Sequence, residues 1–435
     1  MTKVLSFLLA ASLMLGMGEA QAEHFAGAEI YWECLTSGQD AGKFKFFVLV
    51  YTECSVPTSV SVLHLEALNV PNLWIIPLAI AAGYPQDATP SECGFTCADQ
   101  VLGISMEKYL FESEPITITG TPPADGYTFY WNPCCRIATD NLVSSAFETT
   151  YFAATMYSFN GQDVFPCYDS SPQFAEPPIS AQCAGYQVRY NGNAIDTDLD
   201  SLSYELTDAI GNNGIPVTYA SGFSATQPLP PPSLTSLDPT TGQISYDSDL
   251  NTAGRYTVVT AVNSWKCGQL VSRSIRDMNF IFTACSEPNN IPQVPPPTWN
   301  SPVGATGFDV TVQAGDLVSF TLEGVDTDLI NNSLQTMELT AEGVQFSSDF
   351  LDPNLGCLNA PCATLTNSTP PISDVGSVST EFNWQTSCNH LGLNDQCGSL
   401  TNTYNFLFKF RDDHCPVSGS NTVNVAVTVV GDPIL

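Results

Sequence analysis

The sequence DTDLDSL at residues 196–202 decides how the rest of the chain is interpreted, because its first four letters recur as DTDL at residues 326–329. In each copy an apolar residue leads in, Ile195 or Val325, and a β-type segment follows. A serine-leucine pair also follows each copy, at 201–202 and at 333–334. We interpret the two copies as one structural unit used twice, which predicts repeated modules.

Three carboxylates, Asp196, Asp198 and Asp200, occupy every second position of the first copy. They repel one another unless a hard cation or solvent screens them, and oxygen ligands at this spacing suit calcium better than a transition metal. The spacing therefore predicts a Ca²⁺ site at a module junction. The alternative is an acidic, hydrated turn between strands, since aspartate is favoured in turns for its local hydrogen bonds.

The second copy is the weaker candidate because it offers fewer carboxylates. Asp326 and Asp328 match the first two aspartates, but Asn331 and Asn332 follow in place of a third. Ligand count therefore favours the first copy as the calcium site.

A further correspondence supports the repeat and adds supporting aspartates. Asp412 and Asp413 follow a predicted strand and Arg411 in the last module, and Asp277 follows a predicted strand and Arg276 in the middle one. We therefore include these three aspartates as supporting candidates for the predicted cation sites.

Strand-like segments separated by proline and glycine fill the chain, and helical periodicity is almost absent outside residues 1–22. Val423, Val425, Val427 and Val429 alternate strictly, which marks a strand with one buried face. The expected fold is all-β, with tandem immunoglobulin-like or cadherin-like β-sandwich modules stapled by disulfides.

Four segments follow from composition. Residues 1–22 have the layout of a cleavable secretory signal, with Lys3, an apolar run and a small-residue ending. We predict a cysteine-rich β-sandwich module at 23–170, an immunoglobulin-like or cadherin-like module at 171–290, and a second one at 291–435. The proline-rich linker at 291–297 is short and stiff, so it sets the angle between its neighbours.

Fifteen cysteines predict disulfides rather than thiols or zinc, because an exported chain meets an oxidising compartment. Their odd number leaves one thiol over, or one bridge to another molecule. Cys93 and Cys97 as metal ligands are the alternative, and the adjacent Cys134 and Cys135 are expected to bond two different partners. The cysteines assigned to disulfides are Cys34, Cys54, Cys93, Cys97, Cys134, Cys135, Cys183, Cys285, Cys357, Cys362, Cys388 and Cys397.

The chain has a formal charge of −32, from 12 Lys and Arg against 44 Asp and Glu. Such a surface repels nucleic acid and anionic membranes and favours cations. Only 13% of residues are charged and 43% are hydrophobic, which indicates packed cores rather than a disordered acidic tail. The most apolar stretch after the signal, 68–83, is too short to span a bilayer, so we expect a secreted protein with no membrane span.

The sequence contains no catalytic motif. His24, His64, His390 and His414 lack metal-ligand spacing, and neither HExxH nor GxSxG occurs. A non-catalytic protein is therefore expected. Aromatic residues cluster at 127–131 and 151–159, either as a sugar-stacking platform or as core, and core is favoured because aromatics dominate buried area in β-sandwiches.

Several short motifs in a fixed order resemble a known family. They are HxxGAEIxxxC at 24–34, YTEC at 51–54, CCR at 134–136, SSPxF at 170–174, DPTTG at 238–242 and RDM at 276–278. With the 196–202 stretch they resemble the N-terminal region of large secreted, gliding-motility-associated surface proteins of the Bacteroidetes type, which carry cadherin-like or PKD-like modules. The resemblance implies export by the type IX route, a string of immunoglobulin-like modules, and adhesion or surface motility without catalysis.

Three features depart from that family's pattern. Nothing after Val430 forms the sorting domain that the type IX route requires, so we expect a fragment of a longer protein or a different use. Leu199 stands where cadherin-like relatives often carry glycine. Cys167 and Cys267 stand where the family pattern has no cysteine, and a bridge between them is one hypothesis.

The sequence thus predicts a non-catalytic adhesion or scaffold protein of the cell surface, with calcium as the candidate cofactor. Its expected partners are other surface proteins or copies of itself. Two alternatives are a self-assembling subunit of a surface fibre or sheath, and a carbohydrate-binding protein that captures polysaccharide.

Overall fold

The computed structural model describes residues 25–54, 62–89, 93–101, 104–134, 136–143, 149–247, 253–285, 287, 289–366, 369–391 and 401–431. The predicted signal peptide, Cys135 and Cys397 lie outside these residues. Within them, the regular structure is almost entirely β, which confirms the all-β prediction. The helical segments are single 3₁₀ turns at Cys97–Asp99, Asn212–Gly214 and Cys388–His390.

We group the strands of the described residues by the predicted modules. In the first module they are β1 (Phe25–Cys34), β2 (Phe44–Glu53), β3 (Val62–Leu68), β4 (Ile75–Ile80), β5 (Gln86–Asp87), β6 (Met106–Ser113), β7 (Tyr127–Trp131) and β8 (Phe152–Met156). In the second they are β9 (Gln173–Phe174), β10 (Ile179–Cys183), β11 (Gln187–Asn191), β12 (Ala194–Ile195), β13 (Ser201–Leu206), β14 (Thr235–Leu237), β15 (Gln243–Asp247), β16 (Gly254–Lys266) and β17 (Gln269–Thr283). In the third they are β18 (Thr298–Ser301), β19 (Asp309–Gln313), β20 (Leu317–Val325), β21 (Leu329–Ile330), β22 (Ser333–Leu334), β23 (Thr336–Glu342), β24 (Thr364–Thr366), β25 (Ile372–Val375), β26 (Ser377–Gln385), β27 (Thr401–Asp412) and β28 (Ser420–Val430).

The largest sheet runs through the first two modules in the order β1-β2-β6-β4-β3-β7-β8-β17-β16-β13, with β5 on β6 and β10 on β17. Its first-module strands enclose a core in which Trp32, Phe46 and Phe129 are fully buried. Such aromatic side chains bury large apolar areas and dominate the energetics of a core.

Strand β17 joins the first two modules, because it is long enough to pair with both. Its residues 272–275 run antiparallel to β8, and its residues 279–283 run parallel to β10, while β16 covers its other edge. This pairing covers backbone groups that an exposed edge would offer to other chains. The boundary predicted near residue 170 therefore does not separate two independent sheets.

In the second module, the three-stranded sheet β11-β15-β14 packs over β16 and β17. Val188 and Ile244 from the smaller sheet meet Val258 and Phe280 from the larger one, and all four are buried. The module is therefore a sandwich that shares one of its sheets with its neighbour.

The third module is a sandwich of a four-stranded sheet, β18-β20-β26-β24, and a five-stranded sheet, β19-β28-β27-β23-β25. Val425, Val427 and Val429 on β28 are fully buried, which confirms the strand predicted from their alternation. Strand β19 runs parallel to β28, and the other neighbours are antiparallel.

The described disulfides are Cys34–Cys167, Cys54–Cys97, Cys93–Cys415, Cys183–Cys285 and Cys357–Cys362. Cys134 and Cys267 are also disulfide-bonded. The Cys93–Cys415 bond ties the first module to the third across 322 residues of sequence.

Two cysteine expectations need correction. Cys388, which we assigned to a disulfide, is free and exposed. Cys167 bonds Cys34, so the hypothesis of a Cys167–Cys267 bridge is wrong. Pairing follows the distance between side chains in the folded chain, which spacing along the sequence does not report.

The metal alternative for Cys93 and Cys97 is also wrong, because each sulfur is bonded to another cysteine. Cys97 pairs with Cys54, and Cys93 pairs with Cys415, which our assignment had left out. No helix in the described part of the chain is long and apolar enough to cross a membrane.

Candidate cation sites

The DTDLDSL stretch forms a turn between β12 and β13 that its first aspartate holds together. Asp196 Oδ1 accepts the backbone N–H of Asp198 at 2.9 Å and that of Asp200 at 3.3 Å, and its Oδ2 accepts the Ser264 hydroxyl at 2.9 Å. Leu199 has a left-handed backbone with φ 61°, a conformation that glycine adopts with less strain. The hydrogen-bonded turn of the alternative interpretation is therefore present.

Asp169 joins the three aspartates of this turn, and we call Asp169, Asp196, Asp198 and Asp200 the first aspartate cluster. Lys266, the last residue of β16, reaches into it: its Nζ lies 2.7 Å from Asp200 Oδ2 and 3.3 Å from Asp169 Oδ1. Lys266 and Asp169 are only 5% and 3% exposed. An internal ammonium group therefore binds the carboxylates for which the sequence predicts a metal ion.

The first aspartate cluster places four carboxyl groups around one lysine. Burial, reinforced by Asp196, raises the pKa of Asp169 well above its ordinary value. Burial, with Asp200 and Asp198, raises the pKa of Asp196 to about 8. Burial disfavours the charged form of Lys266, but the charges of Asp169 and Asp200 outweigh it and raise its pKa. Near neutral pH the lysine is therefore charged, and Asp196 retains much of its proton.

The second copy repeats the first hydrogen bond of the turn, and we call Asp326, Asp328, Asp412 and Asp413 the second aspartate cluster. Asp326 Oδ1 accepts the backbone N–H of Asp328 at 2.8 Å. Asp326 is 5% exposed, and its Oδ2 is buried without a hydrogen bond. A buried carboxylate oxygen in this state favours a proton or a cation.

Asp328 fixes the linker to the third module. Asn290 donates to it from its backbone N–H and, at 3.1 Å, from its side-chain Nδ2. Gln293 and Val325 exchange two backbone hydrogen bonds of 2.8 and 2.9 Å just beyond. The linker therefore runs along the DTDL turn and is held there at several points.

Asp412 reaches the same place from the hairpin between β27 and β28. Its carboxylate accepts the backbone N–H groups of His414 at 3.0 Å and of Gly419 at 2.9 Å. A Cβ added to Gly419 would lie 2.5 Å from Asp412 Oδ2 and 3.0 Å from the carbonyl oxygen of Asn290. Glycine at this position therefore lets the carboxylate and the linker carbonyl approach each other closely.

Burial and neighbouring carboxylates raise the pKa values of Asp326 and Asp412 in the second aspartate cluster. Burial raises the pKa of Asp412 to about 7, and Asp326 adds to the shift. Burial also raises the pKa of Asp326, and the charges of Asp328 and Asp413 raise it further. None of the ion pairs found in the described residues joins a lysine or arginine to Asp326 or Asp328.

Asp277, a supporting candidate, has a different role. It is buried, and the Arg136 guanidinium donates to its carboxylate. Burial raises its pKa even though Arg136 opposes the shift. Asp277 therefore belongs to an ion pair with the first module.

A cleft of about 660 Å³ opens beside the second aspartate cluster. Tyr186 and Asp247 of the second module line it on one side, and Asp326 and Asp328 line it on the other, with the linker between them. Asp326 and Asp328 therefore line a cleft at the junction of two modules, although Asp326 is itself as buried as Lys266 of the first cluster.

One set of three His, Cys, Asp or Glu ligand atoms within 4.8 Å of one another occurs in the described residues, Cys183, Cys285 and His414. Its two sulfurs are joined in a disulfide, so it is not a ligand set. Neither aspartate cluster brings three carboxylates so close. A cation at the second cluster would complete its shell with amide and backbone carbonyl oxygens, which calcium accepts.

The aromatic cluster lies mainly in the core. Tyr127, Phe129, Phe152 and Phe159 are buried, as the core interpretation expects. The large aromatic side chain most exposed in the described residues is instead Trp74, at 78%, before β4. Tyr130, Trp131 and Tyr151 of the same cluster are only partly buried, so the core interpretation holds for part of it.

The described histidines lie in unrelated places. His64 is exposed on β3, and His390 is buried beside Trp384 with ring centroids 4.7 Å apart. His414 lies against Cys183 of the Cys183–Cys285 disulfide.

No family profile and no curated protein matches the chain. Among solved structures, the chain is similar to human CDH23 EC21-23, at 15% sequence identity, over 60% of this chain and 69% of that one, with a TM-score of 0.16. A TM-score this low supports no inference, so the assignment of β-sandwich modules rests on the sheets and cores described above. The disulfides fit an extracellular protein, because such bonds persist in oxidising compartments.

Proposed function

We propose that this chain is an exported, non-catalytic adhesion or scaffold protein of the cell surface. The observation that carries the proposal is that the three modules are tied together, by the pairing of β8 with β17 and by the Cys93–Cys415 disulfide. Such ties hold binding surfaces at fixed positions, as adhesion and scaffolding require. The partners are other surface proteins or copies of the chain, and the family resemblance adds type IX export and a role in gliding motility to the proposal.

Calcium is the cofactor in this proposal, and the second aspartate cluster is its site. The buried, unbonded Oδ2 of Asp326, the Asp412 carboxylate and the Asn290 carbonyl oxygen are hard oxygen donors of the kind that calcium prefers. At the first cluster, Lys266 already supplies a positive charge. This arrangement reverses the ranking that ligand count alone gives.

The calcium proposal is tested by thermal and urea unfolding in calcium and in chelator. We expect calcium to stabilise the wild-type chain, by about 2.7 kcal/mol when the free ion is at 100 times its dissociation constant. Asp326→Asn should abolish the response and Asp198→Asn should keep it. Identical curves with and without calcium would remove the ion from the proposal, and loss of the response in Asp198→Asn alone would move the site to the first cluster.

Adhesion is tested separately, with beads that carry the oxidised chain. If copies of the chain are the partners, the beads aggregate, and soluble chain competes with the aggregation. If other surface proteins are the partners, the beads bind to cells and not to one another. Beads that do neither would contradict the adhesion proposal while leaving the calcium measurement intact.

A subunit of a surface fibre is the second candidate, favoured by the exposed free thiol of Cys388. An unpaired thiol in an oxidising compartment can bridge two chains. One such thiol links two copies and no more, so a fibre needs a second, non-covalent contact. Light scattering that shows long particles from the wild-type chain and smaller ones from Cys388→Ser supports the fibre, and a monomer in both rejects it.

A further inference from the structure

A second cleft, which we call the intermodule cleft, lies between the second and third modules and has a volume of about 410 Å³. One wall comes from the second module, with Asn193 before β12 and the turn at Thr240 and Thr241. The other wall is formed by β27 and β28, with Asn405 and Asn424. The volume lies in the range of pockets that hold small molecules.

The intermodule cleft is lined mainly by uncharged polar side chains. Of its nineteen lining residues, eleven carry a side-chain amide or hydroxyl, and none is lysine, arginine or histidine. The two acids are Asp200, whose carboxylate is bound by Lys266, and Asp309. Such a lining favours a ligand that forms hydrogen bonds and carries no negative charge.

Two buried amide oxygens in the lining have no hydrogen-bond donor. Asn193 is 3% exposed, and its Oδ1 has no partner. Its backbone N–H donates to Asn191 Oδ1 at 2.9 Å, which fixes the residue in its left-handed conformation at φ 51°. Asn424 Oδ1 on the opposite wall is likewise buried without a partner. A buried acceptor without a donor costs free energy, and because both oxygens are sealed from solvent, a ligand hydroxyl recovers it only when the two side chains turn toward the cleft.

The amide pair of Asn405 and Asn424 on the third-module wall keeps hydrogen-bonding groups for a ligand, whichever way the two amides are oriented. Asn424 Nδ2 donates to Asn405 Oδ1 at 2.9 Å. If both amides were turned over, Asn405 would donate to Asn424, and the pair would again satisfy one donor and one acceptor between them. One donor and one acceptor therefore remain for a ligand that offers both, as a hydroxyl group does.

We propose that the intermodule cleft binds a neutral, hydroxyl-rich small molecule, a mono- or disaccharide unit. Once the Asn193 and Asn424 side chains turn toward the ligand, its hydroxyls would donate to their oxygens, and its C–H faces would contact Leu199 and Ala426. Acidic and phosphorylated ligands are disfavoured, because no cation lines the cleft and the chain carries a charge of −32. The site is independent of calcium at the second aspartate cluster and of the aromatic residues at 127–131 and 151–159.

The first experiment is ligand-observed saturation-transfer NMR on the full oxidised chain. The probes are methyl glycosides of glucose, galactose, mannose, xylose and N-acetylglucosamine, with glucuronic acid as the charged counterpart. We expect transfer to at least one neutral glycoside and none to glucuronic acid. The proposal is overturned if no neutral glycoside responds, or if glucuronic acid responds as strongly as the neutral ones.

Variants then place the binding in the cleft, by titration calorimetry with the responding glycoside. Asn405→Ala, at an exposed position, removes the partner of Asn424 and is expected to weaken binding about tenfold. Ala426→Trp fills the cleft and should abolish binding. Asn383→Ala, at an amide outside the cleft that bonds Thr366, is the matched control and should bind as the wild type does.

Melting curves establish that each variant folds before it is titrated. If Ala426→Trp fails to fold, Asn405→Ala still decides the question, because its side chain is exposed on the strand surface. Unchanged affinity in a folded Asn405→Ala or Ala426→Trp chain would place the sugar elsewhere and overturn the proposal.

Discussion

The two copies of the DTDL turn share one hydrogen bond, but their backbones diverge at the leucine and their electrical surroundings differ. Leu199 has a left-handed backbone with φ 61°, whereas Leu329 begins strand β21. In both, the first aspartate accepts the backbone N–H of the second, Asp198 at 2.9 Å and Asp328 at 2.8 Å. At the first cluster the ammonium of Lys266 reaches the carboxylates. At the second, Asn290, the residue just before the linker, is the partner, and it brings no charge.

This difference teaches that the turn by itself does not define a metal site. Hydrogen bonds within the turn depend on residues two positions apart, and both copies keep them. The demand for a cation depends on charges that reach the site from distant strands. Lys266, at the end of β16, is therefore the feature that distinguishes the first cluster from the second, which is the candidate calcium site.

The largest effect is expected from the removal of that lysine. Lys266→Met leaves Asp169 and Asp200 buried without their partner, and breaking a buried pair in this way costs about 3–5 kcal/mol. Urea unfolding measures the loss. Lys45→Met is the matched control, because its pair with Glu112 lies at the surface, where a pair contributes about 0–1 kcal/mol.

The same variant sharpens the comparison when calcium is added. If the ammonium is what keeps a cation out of the first cluster, Lys266→Met should regain part of the lost stability in calcium and bind one more ion than the wild type. Calorimetry counts the ions. Equal losses in Lys266→Met and Lys45→Met would show instead that Lys266 does not balance the first cluster.

A somewhat smaller effect, about 3 kcal/mol between pH 4 and pH 7, is expected from pH at the second aspartate cluster. Asp412 has a pKa of about 7 in the folded chain and an ordinary value of 3.8. Between these values the folded chain keeps a proton that the unfolded chain has lost. Stability in chelator should therefore fall as pH rises from about 4 to about 7, and then level off as far as this group is concerned.

Asp412→Asn isolates this contribution, because the amide does not ionise and so removes the part of the slope due to Asp412. Asp196, Asp169 and Glu29 also have raised pKa values and give slopes of the same sign, so the measured quantity is the difference between the two chains. Urea midpoints from pH 5 to pH 8 provide it. Parallel profiles would mean that Asp412 ionises normally, and added calcium should flatten the wild-type profile.

Much of the fold could be predicted from local patterns. The alternating valines of β28 predict a strand, because burial of one face imposes a period of two. The β-branched residues of β16 also predict a strand. The pairing of β17 with both β8 and β10 could not be predicted, since partners of a strand lie far apart in sequence. Nor could spacing identify Cys415 as the partner of Cys93.

The candidate sites, like the fold, could be predicted only in part from the sequence. The repeat revealed both turns, and the aspartates that follow Arg411 pointed to the second cluster. Asp169 and Lys266 were missed, because they meet the turn only through folding and carry no motif of their own. The one available signal for Lys266 was the scarcity of cations, 12 against 44 acids, which makes each lysine a candidate partner for buried acids.

The smallest expected effect concerns the fourth residue of each turn, Leu199 in the first and Leu329 in the second. Leu199 packs against the core of the third module, whereas Leu329 is 50% exposed. Leu199→Ala should therefore destabilise the chain by about 1 kcal/mol through lost apolar contact, and Leu329→Ala should remain within about 0.5 kcal/mol of the wild type. Urea unfolding separates the two. Packing of Leu199 between two modules would offset the cost of its left-handed backbone. Equal, negligible effects in both variants would contradict this explanation and leave charge as the difference between the turns.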